Sequence, residues 1–240
     1  AFTKYFTELL SEISKSANYL SNLLENSSPD VVLANEQLVC ESLSLNYIMS
    51  EDNAPVLIRL LHNLVIKHSL SALNSRMLEI IIGRFCSHFH HFRSEATNAL
   101  NVVLENNVID QTTLVSECDS ILRAIFISLK DNSDDIRIVA ARSLLNLVKL
   151  LPDCSYFYSF ISSSLISRLS DRLNEIRLMA IETYSIMLPK SLTCPLINTQ
   201  WKELLVHIDD EDEEIRSAFA ELIKIVVAIP ILPVGTSALR

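Results

Sequence analysis

Leu129-x-Asp131-x-x-x-Asp135-Ile136-Arg137-x-x-Ala140 is the stretch that decides the fold, because its pattern recurs twice further along the chain. The second copy spans residues 169–180 and the third begins at residue 208. The Ile-Arg step lies at 136–137, at 176–177 and at 215–216, so the copies are 40 and then 39 residues apart. A period of that length in a helix-rich chain is typical of stacked helix pairs. We therefore predict an all-α fold, an α-α superhelix.

The apolar spacing and the chain breaks predict about eleven helices, in roughly five to six antiparallel pairs. The expected helices lie near 2–25, 30–49, 54–69, 71–87, 90–106, 110–130, 133–151, 155–170, 173–188, 194–208 and 212–229. We expect a single array over 1–240, a piece of a longer solenoid. Its clear repeats are 110–151, 155–188 and 194–229, and its weaker ones are 2–49 and 71–106.

Each position of the motif has a mechanical interpretation. The leading Leu or Ile ends the first helix of a pair and fills the core. The turn Asp accepts hydrogen bonds from amides at the start of the next helix, and the Ile is the first residue on the inner face of that helix. The Arg reaches the turn carboxylate of a neighbouring repeat and builds a ladder of charge-assisted hydrogen bonds, while the Ala is small where two helices cross closely. The repeat-defining residues are Leu129, Asp131, Ile136, Arg137, Ala140, Leu169, Asp171, Ile176, Arg177, Ala180, Ile208, Asp210, Ile215 and Arg216.

Composition limits the class of protein. The net charge is −9, the isoelectric point is near 5.1 and there are only 2 Gly, which disfavours nucleotide-binding α/β folds because their phosphate loops need glycine. The 20 Lys and Arg form no run, so we expect no nucleic-acid partner. No apolar stretch reaches the length of about 18 residues that a membrane span needs. Five scattered cysteines without a Cys-x-x-Cys pair are typical of reduced thiols, and we expect a cytoplasmic protein.

One segment carries side chains that bind metals, Cys86-x-His88-x-His90-His91. Its spacing does not give the paired ligand geometry of a zinc site, and no second pair lies nearby in sequence, so we interpret it as a helix junction. The Gly-x-Ser-x-Gly motif is missing, and no local signature marks a cysteine as a nucleophile. We therefore expect no catalytic residue, no cofactor, no bound metal and no enzymatic activity.

Two features could contact a partner protein. Six consecutive carboxylates, residues 209–214, open the last predicted helix, a position where acids also stabilise the helix N-terminus. The aromatic segment 156–160 favours packing, but a tyrosine there would anchor an interface if it were exposed. The candidate contact residues are Tyr156, Tyr158, Asp209, Glu211, Asp212 and Glu213. We expect a basic segment of a partner to lie along the second helices of the pairs; the oligomeric state is left open.

The motifs resemble the HEAT repeat, in which a turn Asp is followed by Val/Ile-Arg and a small residue. The likeness covers roughly 110–229, with a weaker copy at Phe92-Arg93-x-x-Ala96 that has Ser87 in place of the turn Asp. In the third late copy, Phe219 stands where Ala is expected. The resemblance implies a non-catalytic scaffold that binds other proteins.

Two segments, 165–180 and 202–210, are similar to consecutive repeats of a HEAT-repeat family of axonemal dynein assembly factors. Residues 202–210 read Lys-Glu-Leu-Leu-Val-His-Ile-Asp-Asp, close to that family's "R-E-L-L-V-H-L-D-D". This similarity implies a cytoplasmic, chaperone-associated factor for preassembly of the dynein arms of motile cilia, with dynein chains and chaperones as partners. Two alternatives stay open: a HEAT-type adaptor in nuclear transport, microtubule binding or a phosphatase scaffold, and a metal or thiol enzyme on a helical scaffold.

Overall fold

Helices make up all of the regular secondary structure in the computed structural model, which describes residues 26–28, 30–31, 78–79, 81–107, 109–191 and 204–228. Within these ranges lie seven complete α-helices: α1 His90–Glu105, α2 Gln111–Ser116, α3 Cys118–Ser128, α4 Asp134–Leu150, α5 Tyr158–Arg168, α6 Asn174–Met187 and α7 Glu213–Ala228. A 3-10 helix, Leu188–Ser191, follows α6 directly. The described residues contain no strand, and the predicted all-α class is confirmed.

The chain divides by its contacts into two compact units, Ala1–Asn146 and Leu147–Arg240. In the first unit, α3 packs against α1 and α2; in the second, α6 packs against α5, α7 and the 3-10 helix. The helices predicted at 2–25, 30–49 and 54–69 lie wholly or mostly outside the described residues, as does most of 194–208. Of the helix predicted at 71–87, residues 78–79 and 81–82 are helical, but residues 83–86 form turns, so its predicted end is wrong. The single array over 1–240 therefore stays a prediction.

Five predicted helices are present with ends shifted by at most three residues, namely α1, α4, α5, α6 and α7. The single helix predicted at 110–130 is wrong, because the chain bends at Glu117 (φ −96°, ψ 2°) and forms α2 and α3 instead. Asp110 caps α2 by accepting from the Thr113 amide at 2.9 Å. The amides of Glu117 and Ile121 still donate to the carbonyl oxygens four residues earlier. The helical spacing of apolar residues therefore continues through the bend, and the sequence pattern gives no sign of it. None of the helices in the described part of the chain combines the length and hydropathy that crossing a bilayer requires.

Motif residues supply much of the core. The buried apolar ones are Leu129, Ile136, Ala140, Leu169, Ile176, Ala180 and Ile215, and Arg137 and Arg177 are buried as well. Phe219 occupies the Ala position of the third copy and is also fully buried, so a ring fills space that a methyl group fills elsewhere. The prediction that Ile208 plugs the core is wrong, because residues 206–209 form turns rather than a last helical turn and Ile208 is 40% exposed.

Candidate interaction surface

Each described repeat turn is built around a side-chain oxygen that accepts the amide two residues further on. The donor–acceptor pairs are Phe89 to Ser87 at 3.2 Å, Ser133 to Asp131 at 3.0 Å, Leu173 to Asp171 at 3.2 Å and Asp212 to Asp210 at 3.0 Å. Aspartate and serine both form such local turns, the serine more weakly. Ser87 therefore keeps the turn in the copy that lacks the aspartate.

The motif arginine holds the same turn from the following helix. In all four described copies its Nη1 donates to the main-chain oxygen six residues earlier. The pairs are Arg93 to Ser87 at 2.9 Å, Arg137 to Asp131 at 3.0 Å, Arg177 to Asp171 at 2.9 Å and Arg216 to Asp210 at 2.7 Å. This contact was not predicted from the sequence, although the constant spacing of six residues between the turn residue and the arginine was a signal for it.

Two of the arginines also reach into the next repeat, as the motif predicted. Arg93 Nε and Nη2 donate to the two carboxylate oxygens of Asp131 at 2.6 and 3.2 Å. Arg177 Nε and Nη2 donate to Asp210 at 2.8 and 2.9 Å, and these two side chains are only 8% and 10% exposed. Bidentate, charge-assisted bonds of this kind are the strong class of protein hydrogen bonds. We call these two contacts the inter-repeat Arg–Asp pairs.

The inter-repeat Arg–Asp pairs perturb the carboxyl groups that they contain. The guanidinium of Arg93 holds the pKa of Asp131 below its ordinary value, and Arg177 lowers the pKa of Asp210 in the same way. The cause is a hydrogen-bonded cation that stabilises the charged form, and it outweighs the opposing effect of burial. Both aspartates are therefore ionised at neutral pH.

A lysine closes the end of α4. Lys190 Nζ donates to the main-chain oxygens of Val148, Lys149 and Leu151 at 2.8, 2.8 and 2.7 Å. A helix leaves its last carbonyl groups without partners inside the helix, and a cation is favoured at that negative end of the helix dipole. Lys190 thereby fastens the 3-10 helix to the end of α4.

The six carboxylates at 209–214 separate into structural and exposed members. Asp210 belongs to the turn and to an inter-repeat Arg–Asp pair. Asp212 caps α7, because its Oδ1 accepts from the Glu214 amide at 2.9 Å and its Oδ2 accepts from Asn174 Nδ2 at 2.5 Å. Asp212 was predicted as a partner contact, but these bonds engage both of its oxygens inside the protein. Among the carboxylates, the predicted contacts that stay exposed are Asp209, Glu211 and Glu213.

Four exposed glutamates, of which Glu214 is also the last of the six consecutive carboxylates, form a face that was not predicted as a whole from the sequence. We call it the glutamate face, and its members are Glu175 and Glu182 of α6 and Glu214 and Glu221 of α7. All four are exposed, although Glu221 lies 2.5 Å from Lys224 Nζ. In both helices they stand two residues before and five residues after the motif Arg, and a spacing of seven places both on one side of a helix. The two helices pack against each other, and both carry the pair of glutamates in the same register.

The two candidate tyrosines have opposite environments. Tyr156 is 82% exposed, and its ring meets the ring of Phe157 edge-on at 4.8 Å. Tyr158 is fully buried, so it packs in the core and is not available to a partner. The helical period explains the difference, because Tyr158 begins α5 and shares its inner face with the buried Ile161 and Leu165.

The segment Cys86–His91 places its Cys and His side chains on the surface, where His90 Nε2 lies 3.1 Å from Ser133 Oγ. In the ranges that the structure describes, no group of three or more His, Cys, Asp or Glu could hold a metal ion. Cys154 is buried, and burial raises the pKa of its thiol to about 11. A protonated thiol is a poor nucleophile, which disfavours Cys154 as a catalytic residue.

No family model and no curated protein matches this sequence. Several solved structures do match this chain in fold. The chain is similar to computationally designed armadillo repeat proteins for modular peptide recognition, with 12% identity and a TM-score of 0.64 over 91% of this chain and 97% of that one. It is also similar to a designed armadillo repeat protein in complex with the peptide (KR)4, with 12% identity and a TM-score of 0.61 over 91% of this chain and 96% of that one. A third similar structure is an engineered protein, with 13% identity and a TM-score of 0.61 over 92% of this chain and 95% of that one. At such identities the likeness shows the fold alone, that of armadillo- and HEAT-like helical repeats.

Proposed function

We propose that this protein is a non-catalytic scaffold that binds a basic segment of another protein on the glutamate face. The observation that carries the proposal is the repeated register of the four exposed glutamates on two helices that pack together. Carboxylates that recur on two packed helices match a partner in which Lys or Arg side chains recur along an extended chain. The designed armadillo repeat protein that was solved with the peptide (KR)4 supports this chemistry on the same fold.

The carboxylates of the glutamate face determine which charge a partner must carry more than they determine how tightly it binds. Exposed ion pairs contribute roughly 0.2–1 kcal/mol each, and the carboxylates act mainly by steering a basic segment and excluding acidic ones. The inter-repeat Arg–Asp pair of Arg177 and Asp210 spans from α6 to the turn before α7. It thereby fixes the two helices that carry the glutamates, so little order has to be gained on binding.

The absence of enzymatic activity is part of the proposal. It is supported by the protonated, buried thiol of Cys154 and by the likeness to designed armadillo repeat proteins for modular peptide recognition. The basic partner would contact side chains of helices rather than enter a reaction site.

The finer assignment that we propose is a cytoplasmic factor for preassembly of axonemal dynein arms, with dynein chains and chaperones as partners. Its support is the similarity of residues 165–180 and 202–210 to consecutive repeats of the dynein assembly factors. Tagged protein should co-purify dynein heavy and intermediate chains together with chaperones from ciliated-cell lysate. A preparation that lacks these chains and recovers unrelated partners would refute the assignment to dynein and leave the scaffold role intact.

The glutamate face is tested by titrating the protein with a fluorescent (KR)4 peptide at low and high salt. Glu182→Lys and Glu221→Lys together remove two attractions of about 0.4 kcal/mol each and add two repulsions of about the same size. We therefore expect affinity to fall about 10-fold. Asp119→Lys is the control, because Asp119 is also exposed but lies on α3 in the first unit. Equal losses in both variants, or an affinity that does not change with salt, would contradict the proposed face.

A further inference from the structure

A second surface of the same unit combines exposed apolar side chains with carboxylates. Leu205, Val206 and Ile208 are 38%, 77% and 40% exposed, and they fall within four consecutive residues that lead into the turn before α7. We call these three residues the apolar strip. Single exposed apolar residues are normal on a protein surface, but large apolar side chains that adjoin one another are typical of contact sites.

The border of the apolar strip is negative. Asp209, Glu211 and Glu213 follow it and are exposed, and no Lys or Arg occurs in the sequence between 204 and 215. The other aspartates of the turn are engaged within the protein: Asp210 by Arg177 and Asp212 by the α7 amide and Asn174. Asp209, Glu211 and Glu213 are thus the carboxylates of this border that face solvent.

The turn beneath this surface is already held in one conformation. Arg216 Nη1 donates to the carbonyl oxygens of Asp210 and Glu211 at 2.7 and 2.9 Å, and two side-chain-to-amide bonds hold residues 210–214. A partner that binds here does not have to order the loop, which removes one of the costs of association.

We propose that the apolar strip and its acidic border bind a cationic amphipathic segment of a partner protein, one that presents Leu, Ile or Val on one side and Lys or Arg beside them. This inference rests on the proposed role as a protein-binding scaffold, but it concerns a different surface from the glutamate face. Charge complementarity selects the occupant. A second copy of this chain would bring a net charge of −9 and the same acidic border against its own image, so repulsion disfavours self-association.

The probe is a 14-residue peptide of Leu and Lys placed at helical spacing, labelled for fluorescence anisotropy. Two comparison peptides separate the contributions: the same peptide with Glu in place of Lys, and (KR)4, which has charge without apolar side chains. Val206→Ser with Ile208→Ser removes the two most exposed apolar side chains of the strip and leaves Leu205 in place. Val227→Ser on α7 is the matched control, because Val227 is exposed to the same 77% in the same unit.

We expect the Leu/Lys peptide to lose about 10-fold in affinity for the double variant and less than about 2-fold for Val227→Ser. The Glu-containing peptide should not bind, and (KR)4 should bind the double variant as well as it binds the parent protein. The last measurement keeps the two proposals apart, because loss of (KR)4 binding in the Glu182→Lys and Glu221→Lys variant reports on the glutamate face only.

Three results would overturn the inference. The first is a parent protein that fails to bind the Leu/Lys peptide at any concentration at which the peptide stays monomeric. The second is equal binding of the Leu/Lys peptide by the double variant and by Val227→Ser. The third is self-association in analytical ultracentrifugation that disappears in the double variant, which would make a second copy of the chain the occupant of the apolar strip.

Discussion

Removing the ion pair between Arg177 and Asp210 tests how strongly one repeat depends on the next. The changes are Asp210→Ala and Arg177→Met, made separately and together. Asp210 accepts two hydrogen bonds from Arg177 and one from the Asp212 amide, in a pair that is about nine-tenths shielded from water. Loss of one partner of a buried ion pair costs about 3–5 kcal/mol, because the remaining charge stays in a poorly hydrated place.

The expected loss lies at or below the lower end of that range. Arg177 keeps its Nη1 bond to the Asp171 carbonyl after the carboxylate is removed, so its charge is not left without any partner. We therefore expect Asp210→Ala to lower the free energy of unfolding by about 2–3 kcal/mol. The double variant should lose less than the sum of the single variants, with a coupling energy of about 1.5–2.5 kcal/mol.

Urea unfolding followed by circular dichroism measures these values, and hydrogen exchange of α7 reports the local part. The local readout is needed because stacked repeats can unfold in steps rather than in one transition. Glu221 and Lys224 on α7 provide the control pair, since both side chains are largely exposed. Their coupling should be about 0.2–0.5 kcal/mol. A coupling energy between Arg177 and Asp210 as small as that of the control pair would refute the reasoning. The inter-repeat pair would then position the repeats without stabilising the folded state.

Acid titration, a lysine substitution and thiol labelling test other contacts. The pKa of Asp131 is lowered in the folded state, so its stabilisation is complete above the unfolded-state pKa of about 3.9 and is lost as pH falls through the lower folded-state value. The difference in unfolding free energy between the parent protein and Asp131→Asn should thus be constant from about pH 7 to 5 and shrink below about pH 4; an unchanged difference at about pH 3 would contradict this. Lys190→Ala should lower the free energy of unfolding by about 1–3 kcal/mol, against less than about 0.5 kcal/mol for the exposed Lys149→Ala. Iodoacetamide at about pH 7.5 should modify the exposed Cys86 long before the buried Cys154, and equal rates by peptide mass spectrometry would be inconsistent with the raised pKa of Cys154.

Much of the helical framework was predictable because its signals are local. The Asp and Pro breaks and the apolar period placed α4, α6 and α7 with ends off by one residue, since caps and helical faces depend on residues a few positions apart. The bend at Glu117 was not predicted from the sequence because the hydrogen bonds on both sides of it keep a helical spacing. Partner contacts were harder, and Tyr156 and Tyr158 show why. Two tyrosines that are two residues apart share their chemistry, and only the packing of α5 buries one of them.

The sequence by itself determined that the described part of the chain is all-α, that its turns recur with an aspartate and an arginine six residues apart, and that its net charge is negative. These properties follow from spacing and composition, which do not depend on where distant residues lie. Tertiary structure alone decided which carboxylates are structural and which are exposed. Asp209 and Asp210 are neighbours of the same type, but one faces solvent and the other receives Arg177 from 33 residues earlier. Such a division depends on contacts between residues far apart in the chain, and these form only when the repeats stack.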